Sequence, residues 1–278
     1  MPALSAVVSS DTGFPLYFRP VESEMLGRLH QSRKLFDRLH CYIWQGRGNN
    51  GNTYLLTNVL RGGRPHVMID PGFIINEMRE HCFDSLEKAM EEDGLKTGDI
   101  GLIINTHTHP DHCQATETIV QKSTRKPSNG KVSRTLVALS KEEDDYYRLV
   151  GERMFGMFGQ KAARLDPFFC LAEGDLTLGR DEQKVNLQVF LTPGHSPGSI
   201  CLYWVERKVL ITGDLLFFGG VGRTDFPGGS LTTLKQSIEK LSSLDVEYLL
   251  PGHSTEYGSI IEGKDKVERN FMAVKLII

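Results

Sequence analysis

From residue 41 onward, short apolar runs alternate with glycine-rich and charged turns, a pattern that predicts strands. Residues 41–45, 53–60 and 66–69 are such runs, separated by Gly-Arg-Gly-Asn-Asn-Gly (46–51) and Arg-Gly-Gly-Arg (61–64). The 46–51 stretch joins strand to strand, so it reads as a turn rather than a phosphate loop. Before it, residues 22–39 carry a spacing compatible with a helix, and His30 and His40 read as structural. Residues 84–94 predict a helix with Asp84 as cap, Glu87 three residues later and Gly94 closing the end. A strand over 100–105 and a helix over 113–120 follow. Residues 121–131 are basic and turn-rich, and 132–138 reads as a strand. Ser140 with Glu143 predicts a capping box that opens a helical stretch carrying Tyr146, Tyr147, Met154, Phe155, Met157 and Phe158. Gly151, Gly156 and Gly159 interrupt that stretch, which reads as packing for a small helical subdomain, with a lid as the competing reading.

The second half repeats the style. Leu187, Val189 and Leu191 alternate, and 200–205 pairs with 208–212 through a tight turn at Glu206-Arg207. Ser230 caps a helix whose Leu231, Leu234, Ile238 and Leu241 form one stripe. A short strand at 248–250 and an amphipathic helix from 257 onward (Ile260, Val267, Phe271, Val274) complete the chain. The final Leu276-Ile277-Ile278 reads as buried on its own domain, with contact to a second copy left open. Strands, helix, strand, helix, twice over, is the order of a layered α/β architecture. We expect one domain over 1–278, with 1–40 an N-terminal extension and 121–180 an insertion.

Composition narrows the partners. With 278 residues, 40% hydrophobic and 24% charged, the chain can bury a large core, and a net charge of -3 gives no pull toward nucleic acid or anionic membranes. The basic run Lys122, Arg125, Lys126, Lys131, Arg134 alone points toward nucleic acid, and it reads as a solvated loop. Five cysteines, an odd number without a Cys-x-x-Cys pair, argue for a reducing compartment, and Cys113 reads as a small buried residue. Residues 1–10 make a poor signal peptide, and no apolar run reaches the roughly 20 residues of a membrane span. The expectation is a cytoplasmic protein with a small-molecule substrate and no membrane partner.

The chemistry concentrates in Thr106-His107-Thr108-His109-Pro110-Asp111-His112, directly after an apolar run. In extended backbone, residues two apart face the same way, so His107 and His109 can grip one ion. Pro110 is expected to turn the chain, and Asp111 and His112 suit a second ion. Asp70 ends one strand, Asp214 ends another, and His195 and His253 sit in Pro-Gly-His loops. Five of the nine histidines thus fall at strand ends, and one metal site explains all five.

These motifs resemble the metallo-β-lactamase-fold superfamily of metal hydrolases: His-x-His-x-Asp-His is His107 to His112, and Asp70, His195, Asp214 and His253 match the remaining motifs in order, over about residues 41–258. The resemblance implies a four-layer αββα sandwich of two similar halves, here with a helical insertion. It assigns His107, His109 and His195 to one metal and Asp111, His112 and His253 to another, with Asp214 bridging and Asp70 supporting by hydrogen bonds. The implied cofactors are two divalent ions, zinc first, with iron or manganese as alternatives. Two such ions lower the pKa of a bridging water toward about 7 and polarise a carbonyl. Asp111 is the candidate for steering protons as well.

The loop 215–230, with Gly222-Arg223-Thr224-Asp225 at its centre, resembles the glyoxalase II-like hydrolases. The implied activity is hydrolysis of a small thioester or ester. Arg223 is a candidate substrate contact, with a local Arg223–Asp225 ion pair as the competing reading. Persulfide dioxygenases carry a similar Gly-Arg-Thr-Asp, which makes a mononuclear iron oxidoreductase using His107, His195 and Asp214 the alternative. Lactonases share a stretch like 192–198. Glyoxalase II has a long C-terminal helical domain where this sequence gives 25 residues after His253, so the resemblance leaves glutathione recognition open.

Overall fold

The computed structural model describes residues 28–124 and 134–278. The start of the expected 22–39 helix, the 1–10 segment, and Arg125, Lys126 and Lys131 of the basic run lie outside the described residues.

Seven strands form the first sheet in sequence order: β1 (His30–Phe36), β2 (Leu39–Trp44), β3 (Thr53–Leu56), β4 (His66–Ile69), β5 (Ile100–Ile104), β6 (Leu136–Ser140) and β7 (Phe169–Leu171). Pairing is antiparallel from β1 to β4 and parallel from β4 to β7. The second sheet holds β8 (Gly174–Leu178), β9 (Val185–Leu191), β10 (Ile200–Trp204), β11 (Val209–Gly213), β14 (Tyr248–Pro251) and β15 (Ile261–Glu262), ordered β15-β14-β11-β10-β9-β8. A small hairpin, β12 (Leu216–Phe217) with β13 (Gly220–Val221), stands apart. The main helices are α1 (Cys82–Glu92), α2 (Pro110–Ser123), α3 (Lys141–Met157), α4 (Leu231–Leu241) and α5 (Lys264–Ile277).

Period-two alternation builds the layers. Leu39, Cys41 and Ile43 of β2 face the second sheet and pack in one cluster with Ile200, Leu202 and Trp204 of β10. Tyr42 points the other way, onto Phe83, Leu86 and Met90 of α1 and Ala115 and Ile119 of α2. On the far side, Cys201 and Tyr203 of β10 meet Leu234, Ile238 and Leu241 of α4 and Val267, Phe271 and Val274 of α5. The result is helices, sheet, sheet, helices: the expected αββα sandwich.

Several local expectations are corrected. Residues 30–36 form edge strand β1 rather than a helix, because Gln31 to Lys34 find a ladder partner in β2. Helix α1 starts earlier than expected, with His81 and not Asp84 at its N-cap, since buried Cys82 and Phe83 draw the chain into the helix. Pro110 does not turn the chain away but opens α2, where a missing N–H costs nothing. The 121–180 stretch is woven into the sandwich, supplying β6 and β7 to one sheet and β8 to the other, and α3 runs unbroken through Gly151. Ser140 caps α3 by accepting from the Glu143 amide, but the Glu143 side chain does not return the bond. The α5 helix begins at Lys264, after Ile260, and Leu276 and Ile277 at its end are exposed rather than buried.

Candidate metal centre

Parallel strands end at the same edge of a sheet, and this geometry collects the candidate residues. Asp70 follows β4, the 105–112 loop follows β5, His195 lies between β9 and β10, Asp214 follows β11 and His253 follows β14. The expected extended backbone at 105–109 is a bent loop, with His109 itself extended at the N-cap of α2. The three rings still converge: His107–His109 and His107–His195 centroids are 4.8 Å apart, and His109–His195 are 4.4 Å apart.

Among the described residues three groups of side chains could hold an ion: His107 with His109 and His195, Asp111 with His112 and His253, and Asp70 with His107 and His112, which overlaps the other two. Asp214 stands between the first two. Its Oδ1 lies 3.1 Å from His112 Nε2, and its Oδ2 lies 3.4 Å from His195 Nε2 and 3.3 Å from His253 Nε2. Nε2 of His107, His109 and His195, and Oδ1 of Asp214, are buried without a hydrogen-bond partner. Orphaned buried polar atoms are rare and costly, and the three imidazoles, whose ligand atoms lie within 4.8 Å of one another, fit a cation. The donor set, imidazole nitrogen with carboxylate oxygen, suits zinc and equally iron or manganese.

Outer contacts fix the rings. His195 donates from Nδ1 to the Arg223 carbonyl at 2.6 Å, which turns its Nε2 lone pair inward. His112 Nδ1 lies 2.9 Å from Asp70 Oδ2. Asp70 also accepts from the Thr106 amide and hydroxyl at 2.8 and 2.6 Å, so it ties β4 to the histidine loop. Asn49 donates to Asp111 Oδ2 at 2.6 Å. Gly252 leaves the room this packing needs, since a Cβ there would sit 2.1 Å from Asp214 Oδ1.

The electrostatics divide the histidines. Burial, with help from neighbouring imidazoles, pushes His109 down to about 3 and His107 well below its usual value. Burial opposes charge on His253 too, but the Asp214 and Asp111 carboxylates overcome it and raise His253 to about 9. Asp214 is likewise penalised by burial and is held well below its usual value by His253 and His112. The carboxylates therefore demand positive charge beside them, which a divalent ion supplies on displacing the imidazole protons.

A cavity of about 420 Å³ opens over these residues, lined also by the apolar Phe158, Phe217, Val221 and Phe226 and the polar Asn49, Glu77 and Arg223. Arg223 makes a two-pronged ion pair with Asp225, at 2.9 and 2.7 Å, and lies over the Phe226 ring at 4.3 Å. The structure thus brings together every residue the sequence marks for the site. Sequence reasoning misses Asn49, Phe226 and Glu143; Phe158 lies in the stretch whose competing reading is a lid or substrate pocket wall, and it does line the cavity. Glu143 is fully buried in the first turn of α3 and accepts from Thr108, Ser196 and Gly198. Burial raises its pKa, against the pull of those donors.

Residues 46–253 match the Metallo-beta-lactamase superfamily. A protein named "probable metallo-hydrolase" from Methanocaldococcus jannaschii is 31% identical over 212 residues, covering 75% of this chain and 89% of its own. A human protein named acyl-coenzyme A thioesterase is 28% identical over 227 residues, covering 76% of each chain. A crystal structure of a protein in a di-iron-bound form superposes with a TM-score of 0.59 at 28% identity, over 81% of this chain and 96% of that one.

Proposed function

This chain belongs to the metallo-beta-lactamase superfamily, and on that premise we propose that it is a dinuclear metal-dependent hydrolase of small thioesters. His107, His109 and His195 would hold one divalent ion and Asp111, His112 and His253 the other, with Asp214 shared. Bound there, the ions supply a reactive water and polarise the scissile carbonyl. Every other part of the reading rests on side chains. The Arg223 carbonyl fixes the His195 tautomer, Asp70 does the same for His112, and Asn49 orients Asp111. Burial works against an ionised Asp111, yet His112 and His253 hold it below the usual carboxylate range. It is therefore a weak proton acceptor, and its weight in the proposal is as a ligand. Phe158, Phe217 and Phe226 form an apolar wall suited to an acyl chain and to excluding bulk water. Arg223, with 66% of its side chain exposed, is placed to meet an anionic end of the substrate.

The observation that carries the reading is that Nε2 of His107, His109 and His195 are buried without a hydrogen-bond partner while these three side chains bring ligand atoms within 4.8 Å of one another. The Gly-Arg-Thr-Asp loop and the relative named as a thioesterase support thioesters over other esters. No helix among the described residues is long and apolar enough to cross a membrane. The five cysteines, none in a disulfide, support a cytoplasmic setting.

Purified protein should hydrolyse S-lactoylglutathione or a short acyl-coenzyme A, lose the activity to a chelator and regain it with zinc. Activity that survives chelation, or full activity in a His107→Ala, His112→Ala double variant, overturns the proposal. One iron per chain with oxygen uptake on a persulfide would replace it with the dioxygenase reading.

A further inference from the structure

We propose that Glu143 is a positioning residue that locks the two histidine loops of one half-site together and so sets the metal affinity of that half-site alone. The inference rests on the reading of His107, His109 and His195 as ligands of one ion. Glu143 Oε1 accepts from the Thr108 amide and the Thr108 hydroxyl, both at 2.8 Å. Its Oε2 accepts from the Ser196 hydroxyl at 2.7 Å and the Gly198 amide at 2.9 Å. Thr108 lies between His107 and His109, and Ser196 follows His195. One carboxylate therefore grips both chain segments that deliver these three imidazoles.

The clamp is built tightly. Ser140 accepts from the Glu143 amide at 3.0 Å and donates to the Gly198 carbonyl at 2.6 Å, so the start of α3 is stitched to the 192–199 loop by main chain as well as side chain. A Cβ on Gly198 would sit 2.1 Å from the Glu143 nitrogen, which no side chain could occupy. A carboxylate with no exposed surface is costly unless its oxygens are filled, and here four donors fill them. Among the described residues, Glu143 makes no hydrogen bond to Asp111, His112 or His253; Asn49 holds Asp111, Asp70 holds His112, and His253 lies against Asp111 and Asp214. Asp70 also reaches the first half-site through Thr106, so the selectivity assigned to Glu143 rests on its own four bonds to Thr108, Ser196 and Gly198.

The chemistry distinguishes carboxylate from amide. Glutamine has the same shape but one acceptor oxygen, so its NH2 would face either the two Thr108 donors or the Ser196 and Gly198 donors. E143Q should loosen the loops without emptying the core.

Zinc affinity, measured by competition with a chromophoric chelator, tests this in two backgrounds. In His253→Ala, which leaves the His107/His109/His195 group, adding E143Q should weaken the remaining ion roughly ten- to hundredfold. In His195→Ala, which leaves the other group, the same change should shift affinity by less than about threefold. A merely structural Glu143 would weaken both backgrounds alike, and that result, or no effect in either, overturns the proposal. A remote destabilising control, Val274→Ala in α5, should move neither. If His253→Ala and His195→Ala each keep two ions, the ligand assignment has failed instead. Should E143Q not fold, Ser196→Ala and Thr108→Val each remove one link, and the same selectivity must appear.

Discussion

His195 illustrates how a side chain becomes functional through its second nitrogen. Its Nδ1 is committed to the Arg223 carbonyl, and only then does Nε2 face the cavity as an acceptor. Not every buried histidine in the chain is of this kind. His30 packs edge-on to Trp44 and reaches Ser85, and burial pushes it down to about 3. Its neutral form is the one the fold accepts, so the unfolded chain binds the extra proton between pH 6.5 and about 3. The His30 contribution to stability is therefore complete above pH 6.5 and drains away as pH falls toward 3. A His30→Gln variant should lose less stability than the parent between pH 7 and 4, by up to about 3 kcal/mol, as read from urea midpoints. Parallel pH profiles would refute it. The candidate ligands are legible in the sequence because histidines recur at the ends of apolar runs, where one metal site would give all five a purpose. Glu143 is not, since a Ser-x-x-Glu spacing fits a capping box equally well, and only the folded loops reveal where the carboxylate goes. Asn49 is hidden by a loop whose composition reads as an ordinary turn.

At the scale of elements, what repeats in the sequence is what the structure keeps. Of the expected stripe, Leu234, Ile238 and Leu241 become the buried face of α4, capped by Ser230 as its spacing implies, while Leu231 in the first turn is exposed. Truncating Ile238 to alanine should cost about 2–5 kcal/mol in denaturant unfolding, because the residue is fully buried between α5 and the second sheet. A loss under about 1 kcal/mol would mean that α4 is not part of the cooperative core. Strand β1 escapes a reading by periodicity because its register comes from β2 and not from its own pattern. The same holds for β7, whose membership of the first sheet depends on a parallel partner about 30 residues away, whereas β6 overlaps the strand expected over 132–138. Past the end of α3, Phe158 reaches the cavity and lies 5.9 Å from Phe226. If that pair forms the acyl wall, Phe158→Ala should raise KM several-fold with kcat nearly unchanged. A fall in kcat at constant KM would assign the aromatic pair to the reacting geometry instead.

For the whole molecule, the sandwich explains why the site lies where it does. Two sheets close on a common core, and the strand ends of both open on one edge, where each half contributes ligands to a shared pocket. The first half brings Asp70 and His107 to His112, and the second brings His195, Asp214 and His253. Neither proposed ion-holding group, His107 with His109 and His195 or Asp111 with His112 and His253, lies within one half, so metal binding should report on the joined fold, and stripping the ions should lower thermal stability. Metal content, measured on purified parent, His195→Ala and His253→Ala proteins after zinc loading and desalting, tests the central claim most directly. A two-ion centre predicts two equivalents in the parent and one in each variant. A single ion in the parent that His253→Ala leaves in place, or two ions retained in either variant, would contradict it.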